Sequence, residues 1–319
     1  MNLLALNPAT LVKALPGNVA QGLIWGIMAM GVYMTFRLLS FSDLTVDGSF
    51  ATGGAVAVMA ILAGVPAPLA LLYSFLTGML TGLVTGLLHT AFGIPDILSG
   101  ILTQIALYSV NLRIMGNMAN KPVSVDKFFL VVSSRNISNA ILFGVIMIAA
   151  LIAALYWFFG TEFGCSIRST GSNPAMSRAQ GINTNITKVF TLALSNGFVA
   201  MSGGLLSQYQ GFSDINMGRG SIVIGLAAII IGEILGEAIF GKKLNFAGHL
   251  VFVVIGSIIY YIVIGVVLWL KMPSNDLKLF TALIVAVFLA IPNLRAKISN
   301  SYARAAKNGT VTIEKSREV

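Results

Sequence analysis

The sequence predicts an all-α polytopic membrane protein of about nine crossings (8–10) that contains an internal inverted repeat. Three observations carry that expectation. Apolar runs recur along the chain, each long enough or nearly so to cross a hydrocarbon core of about 30 Å as a helix. Only 10% of the 319 residues are charged while 56% are hydrophobic, where a soluble domain carries about a quarter charged. The third is a near-duplicate polar insert, F-S-D-L-T-V-D-G-S at 41–49 and F-S-D-I-N-M-G-R-G-S at 212–221.

The candidate spans in order are 19–37, 49–63, 68–90, 98–115, 137–159, 186–208, 219–237, 246–270 and 277–292. A transmembrane barrel would need shorter, alternating segments. Residues 1–17, with Pro8 and Pro16, are too short to cross and are expected as a surface amphipathic segment. The first span lacks a following small-residue cleavage signal and is expected to be permanent. The second span is short and glycine-rich and is expected to be broken or tilted. Gly64-Val65-Pro66 and Gly93-Ile94-Pro95 punctuate the joints between spans. The single cysteine, Cys165, excludes an internal disulfide framework and a cysteine-based metal site.

The net charge of +9 raises nucleic acid as a partner, but the distribution of the basic residues favours a membrane. Six of the 20 lie after Asn293, and the positive-inside rule puts this tail in the cytoplasm. The same rule places Lys242, Lys243, Arg168, Arg178, Lys188 and, by parity, Arg37 inside as well. The chain then divides into a transmembrane domain, 1–293, and a basic cytoplasmic tail, 294–319.

The two inserts are offset by 171 residues, so that Ala29-Met30 falls on Ala200-Met201, Phe41-Ser42-Asp43 on Phe212-Ser213-Asp214, and Gly54 on Gly225. The first copy ends span one and the second ends span six. An odd number of spans separates them, so equivalent helices run in opposite directions. Many transporters use such inverted repeats to alternate access around a midplane site.

Between the two halves, residues 162–185 form the longest cytoplasmic interruption. Asn173 suits a helix N-cap, Pro174 the first helical position and Gly181 the left-handed residue past the end, which predicts a short helix at about 174–180. Such a helix either rests on lipid headgroups or docks a partner. The stretch G-C-S-I-R-S-T-G-S-N-P-A-M-S-R-A-Q-G-I-N resembles the cytoplasmic motif of the branched-chain amino acid/ribose-type permeases of ABC importers, G-x-x-x-R-A-x-G-x-N-P-x-A-A-x-x-x-G-I. Arg168, Gly171, Asn173, Pro174, Gly181 and Ile182 match it; Ser169 replaces the usual alanine and Met176 a small residue. The resemblance covers most of the chain. Residues 39–49 and G-I-P-D-I-L-S-G-I-L-T-Q-I-A-L-Y-S-V-N-L-R-I-M-G at 93–116 resemble a branch found beside aromatic-amino-acid-type binding proteins.

The resemblance implies a helical importer subunit with an internal inverted repeat in a bacterial cytoplasmic (inner) membrane, moving a small solute, an amino acid before a sugar or nucleoside. It implies ABC ATPase subunits that bind ATP and Mg, a second permease copy as a homodimer, and an extracytoplasmic substrate-binding protein that meets the outer loops 116–136 and 209–219. Arg168, Gly171, Asn173, Pro174, Met176, Arg178 and Gly181 would couple to the ATPase.

Other residues leave alternatives open. Gln104, Tyr108 and Asn111 form one stripe on span four, as a lining of the solute route or as interhelical glue. Asp43 and Asp214, in the two inserts, belong either to a gate or to loop turns. Glu233 and Glu237, near Lys242 and Lys243, suit a salt-bridged helix end better than a proton relay. G-E-A-I-F-G-K-K at 236–243 approaches a phosphate-binding loop but lacks its hydroxyl residue and flanking strand. No hydrolytic signature appears. An ion-driven secondary transporter is the main competitor and an intramembrane enzyme a distant one; the expected chain is not an enzyme and holds no cofactor.

Overall fold

A computed structural model describes residues 8–125, 127–241 and 244–270, with scattered positions from 279 to 290. The chain divides after Lys271 into two units. In the second, the described residues are helical. The rest of the expected ninth span and the tail 294–319 lie outside the described residues, as do Lys242 and Lys243.

In the first unit, α1 (Pro8–Tyr33) widens into a π turn at Met34–Leu38. It is followed by α2 (Val46–Leu62), α3 (Ala67–Thr90), α4 (Asp96–Ile114) and α5 (Ile137–Gly160). Two shorter helices, α6 (Glu162–Ser172) and α7 (Pro174–Ala179), precede α8 (Thr184–Gln210), α9 (Ser221–Phe240) and α10 (Phe246–Trp269). Among the described residues, seven helices are long and apolar enough to cross a membrane, and α2 is a shorter apolar helix. A two-stranded antiparallel ribbon, β1 (Asn120–Pro122) with β2 (Phe212–Asp214), closes one end.

Three expectations need correction. Residues 8–17 are the opening turns of α1, not a separate surface segment. Pro16 forfeits only its bond to the Val12 carbonyl, on an exposed stretch where the helix tolerates the loss. The second span is unbroken. It is short, about 25 Å for its 17 residues, because it starts inside the bundle rather than at the surface. The interruption at 162–185 holds two helices instead of one. The unforeseen α6 is capped by Thr161, whose hydroxyl accepts from the Gly164 N–H at 3.3 Å.

The inverted repeat is present in atomic contacts. Ser195 donates its hydroxyl to the Gly31 carbonyl at 2.7 Å, and Ser202 donates to the Ile24 carbonyl at 2.7 Å. Subtracting 171 turns Ser195 into position 24 and Ser202 into position 31, so each bond is the image of the other. Reciprocal contacts of this kind mark a two-fold relation. The inserts repeat their local geometry too. Asp43 Oδ1 accepts the Thr45 N–H at 2.9 Å, and Asp214 Oδ1 accepts the Asn216 N–H at 2.7 Å. Gly218 lies against the Asp47 carbonyl, and 47 and 218 are equivalent positions, so that contact sits on the pseudo-two-fold axis.

At the centre stands α8, buried along most of its length against α1, α2 and α3. Lipid-embedded helices gain little from hydrophobic exclusion and associate by close packing, which small residues permit. A Cβ at Gly53 would overlap the Ala200 carbonyl; one at Gly78 would overlap Asn196, one at Gly82 Leu192, and one at Gly203 Phe50. Gly53→Ala is expected to push α2 from α8 at a cost of about 1–3 kcal/mol. Gly160→Ala, with nothing within 4 Å of the new methyl, is the neutral control. Thermal unfolding in detergent should show a lower midpoint for Gly53→Ala alone; equal midpoints would contradict the contact.

Candidate functional site

Both polar inserts fold back into the bundle. After the π turn the chain reverses, and Asp43 meets Asn196, which lies about 18 Å along α8 from its first residue. Asp43 is 3% exposed. It accepts the Asn196 side-chain N–H at 2.6 Å besides the Thr45 N–H. The network continues through hydroxyls. Ser49 donates to Asn196 Oδ1 at 2.6 Å and pairs with Thr81 at 2.7 Å. Thr45 pairs with Thr85 at 2.7 Å, and Thr85 donates to Thr103 at 2.9 Å. Buried polar groups are costly unless satisfied, and here each satisfies another across α2, α3, α4 and α8. Sequence reasoning missed Ser49, Thr81, Thr85, Thr103 and Asn196. The spacing of Thr77, Thr81 and Thr85 on one helix face was the available signal.

The second insert descends from the ribbon end and starts α9 at Ser221. Asp47 closes that helix: its carboxylate accepts the Gly220 N–H at 2.8 Å, the Ser221 hydroxyl at 2.8 Å and the Ile222 N–H at 3.0 Å. An aspartate belongs there because the first N–H groups of a helix are unsatisfied and its dipole favours an anion. Asp47, from one half, thereby pins the start of a helix in the other.

Beside that junction is an open cleft of about 380 Å³, lined by Asp47, Gln104, Tyr108, Asn111, Ile215 and Arg219 among others. The expected stripe on α4 is thus brought together at one cavity. Small-molecule sites commonly span roughly 300–1,000 Å³. Asn111 is 1% exposed, and its Oδ1 has no hydrogen-bond partner. Asp43 is sealed away in the hydroxyl network, and Asp214 sits in the ribbon, where Asn120 reaches its carboxylate at 3.4 Å. Neither lines the cleft.

At the opposite end from the ribbon, α6 and α7 form a compact corner. Asn173 Oδ1 accepts the Met176 N–H at 3.1 Å, Pro174 takes the first helical position and Gly181 adopts φ +85°, as the sequence predicts. Ser177 donates to the Asn173 carbonyl at 3.0 Å and pairs with Ser169 at 2.7 Å, tying α7 to α6. Arg168 turns back to the Phe159 carbonyl at 2.8 Å, closing the end of α5. Gly171 abuts the Leu38 carbonyl at the end of the π turn. Met176 and Arg178 point outward and are exposed. The same end holds the Arg37–Glu233 ion pair at 2.7 Å and a Lys188–His89 contact at 3.0 Å. Glu233 therefore pairs across the bundle with the end of the first span.

The corner is joined to the buried network by contiguous contacts. Leu38 leads to Leu39 and Phe41, which pack with Leu192 on α8. The Phe41 ring meets His89 edge-on at 5.1 Å, and two residues further on is Asp43.

Comparison with known proteins bears on this architecture. The chain is 39% identical over 286 residues to the tyrosine transport system permease protein of Clostridioides difficile (strain R20291), covering 90% of this chain and 94% of that one. It is 30% identical over 274 residues to the uncharacterized protein RP368 of Rickettsia prowazekii (strain Madrid E), covering 85% and 94%. Identity falls to 25% over 225 residues with the autoinducer 2 import system permease protein LsrC of Yersinia pestis, covering 68% of this chain and 60% of the relative. No solved structure matches the chain. Residues 17–292 match the family described as the branched-chain amino acid transport system permease component, and this multi-pass membrane chain belongs to it.

Proposed function

We propose that the chain is the membrane-spanning subunit of an ATP-driven importer that carries an amino acid into the cytoplasm. The observation that carries this reading is the rigid, outward-facing α7 corner, braced through Gly171 on the end of the first span. The amino-acid cargo is supported by the tyrosine transport relative. In this reading the subunit sits in the bacterial cytoplasmic membrane with α6, α7 and the C-terminus inside and the β1–β2 ribbon outside.

A second copy would complete the pathway, and an extracytoplasmic binding protein would deliver solute to the ribbon end. Separate ATPase subunits would bind ATP and Mg and grip Met176 and Arg178. Closure of the ATPase pair would then displace α7. Because α7 is hydrogen-bonded to α6 and α6 abuts Leu38, the displacement would reach the π turn and the first insert before it could be absorbed. Coupling needs an element with two discrete arrangements. The two inserts, meeting at Asp47 and Gly218, are placed to be that element, and the cleft beside them is the proposed solute route.

Purification of the tagged chain from native membranes in mild detergent, beside an Arg178→Glu variant, tests the dock. A P-loop ATPase is expected with the wild type and depleted with the folded variant. A stable wild-type chain recovered alone would overturn the assignment. The buried network gives a second expectation. Asn196→Ala removes one hydrogen-bond partner each from buried Asp43 and Ser49 and should lower thermal stability by about 1–3 kcal/mol. It should also slow ATP-dependent uptake while the ATPase still co-purifies. Unaltered stability and uptake would remove the network from the coupling route.

A further inference from the structure

We propose that the cleft between α2, α4 and the second insert is a recognition site for the charged backbone of a free amino acid, with Arg219 taking the carboxylate and Asn111 the ammonium. The inference rests on reading the cleft as the solute route and adds the chemistry by which it selects.

Two residues with unmet polar groups line the same cavity. Arg219 is exposed there and forms no ion pair among the described residues. The acidic residue lining that cavity, Asp47, is already engaged by two backbone N–H groups and a hydroxyl at the start of α9. A guanidinium presents a planar fork of donors that matches a carboxylate in two parallel hydrogen bonds. Asn111 supplies the complementary vacancy. Its carbonyl oxygen is closed off behind the cleft wall without a partner, which is unfavourable until the amide turns toward a donor in the cleft, and an ammonium carries three. Tyr108 stands one helical turn from Asn111 on the same face of α4 and offers a ring surface to an apolar or aromatic side chain. A neutral sugar would satisfy Asn111 and leave Arg219 unmatched. A zwitterion satisfies both.

The test uses the complete transporter, with its ATPase and binding protein, in proteoliposomes. Uptake of labelled L-tyrosine, the other amino acids and ribose is measured for wild type, Arg219→Gln, Arg219→Lys and Asn111→Leu, with ATPase recovery checked for each. Wild-type uptake of an amino acid is expected to fall about tenfold or more in Arg219→Gln, as loss of charged hydrogen bonds implies, and to fall less in Arg219→Lys. Undiminished uptake in Arg219→Gln, or wild-type uptake of ribose and no amino acid, would overturn the site. If nothing is transported, the importer reading fails and the site is judged separately by thiol labelling. In a Cys165→Ser, Tyr108→Cys background, an anionic methanethiosulfonate should react faster than a cationic one, and Arg219→Gln should erase that preference. Equal rates before that substitution would overturn the proposal.

Discussion

The close crossing of α8 with the helices around it is the constraint on which the rest of the structure depends. A helix in lipid has no water to satisfy stray polar groups and little hydrophobic incentive to leave lipid for protein. Contact with α8 comes instead from backbone brought against backbone, at Gly53, Gly78, Gly82 and Gly203, where any side chain would intrude. At such distances Ser195 and Ser202 can reach main-chain carbonyls on α1, and Asn196 can reach an aspartate carried back into the bundle. The re-entrant inserts follow from that. Asp43 is tolerated deep inside because α8 brings a partner to it, and Asp47 because α9 begins where its carboxylate ends.

Much of this was legible in one sequence. The doubled F-S-D, with correct parity, announced an inverted repeat, and the contacts between α1 and α8 obey its 171-residue offset. Asn173, Pro174 and Gly181 marked α7 because caps are local chemistry. The stripe Gln104, Tyr108, Asn111 was visible as helical spacing, and the three residues share one cleft. What stayed hidden was non-local. Asp47 reads as a loop aspartate until a helix 173 residues later is placed on it. Ser49, Thr81, Thr85 and Thr103 look like ordinary small polar residues in apolar spans, and only their convergence makes them a network. The helix α6 was masked by Gly164 and Gly171, poor helix formers that are present for close approach to Phe159 and Leu38. Arg37 and Glu233 were each noticed, but not as a pair, since nothing in the sequence brings the ends of the first and seventh spans together.

In the proposed mechanism two roles are separated along one pseudo-symmetric frame. At one end the chain is stiffened into a small exposed corner, the proposed lever, whose internal hydrogen bonds leave it little freedom of its own. Near the axis, the two inserts interrupt the helical backbone, with Asp47 and Gly218 in contact and the cleft alongside. In the proposed cycle, work done on the lever is felt at the inserts because the parts between them are packed contiguously, and solute selectivity resides where the inserts meet.

The most direct test of this arrangement is the sidedness of its two ends. Cys165, the single native cysteine, is exposed on α6. In the Cys165→Ser background, Asn216→Cys would mark the second insert near the ribbon. A membrane-impermeant maleimide should label Asn216→Cys on intact cells and Cys165 only in inside-out vesicles. Labelling of both from the same face would contradict the inverted architecture and the mechanism built on it.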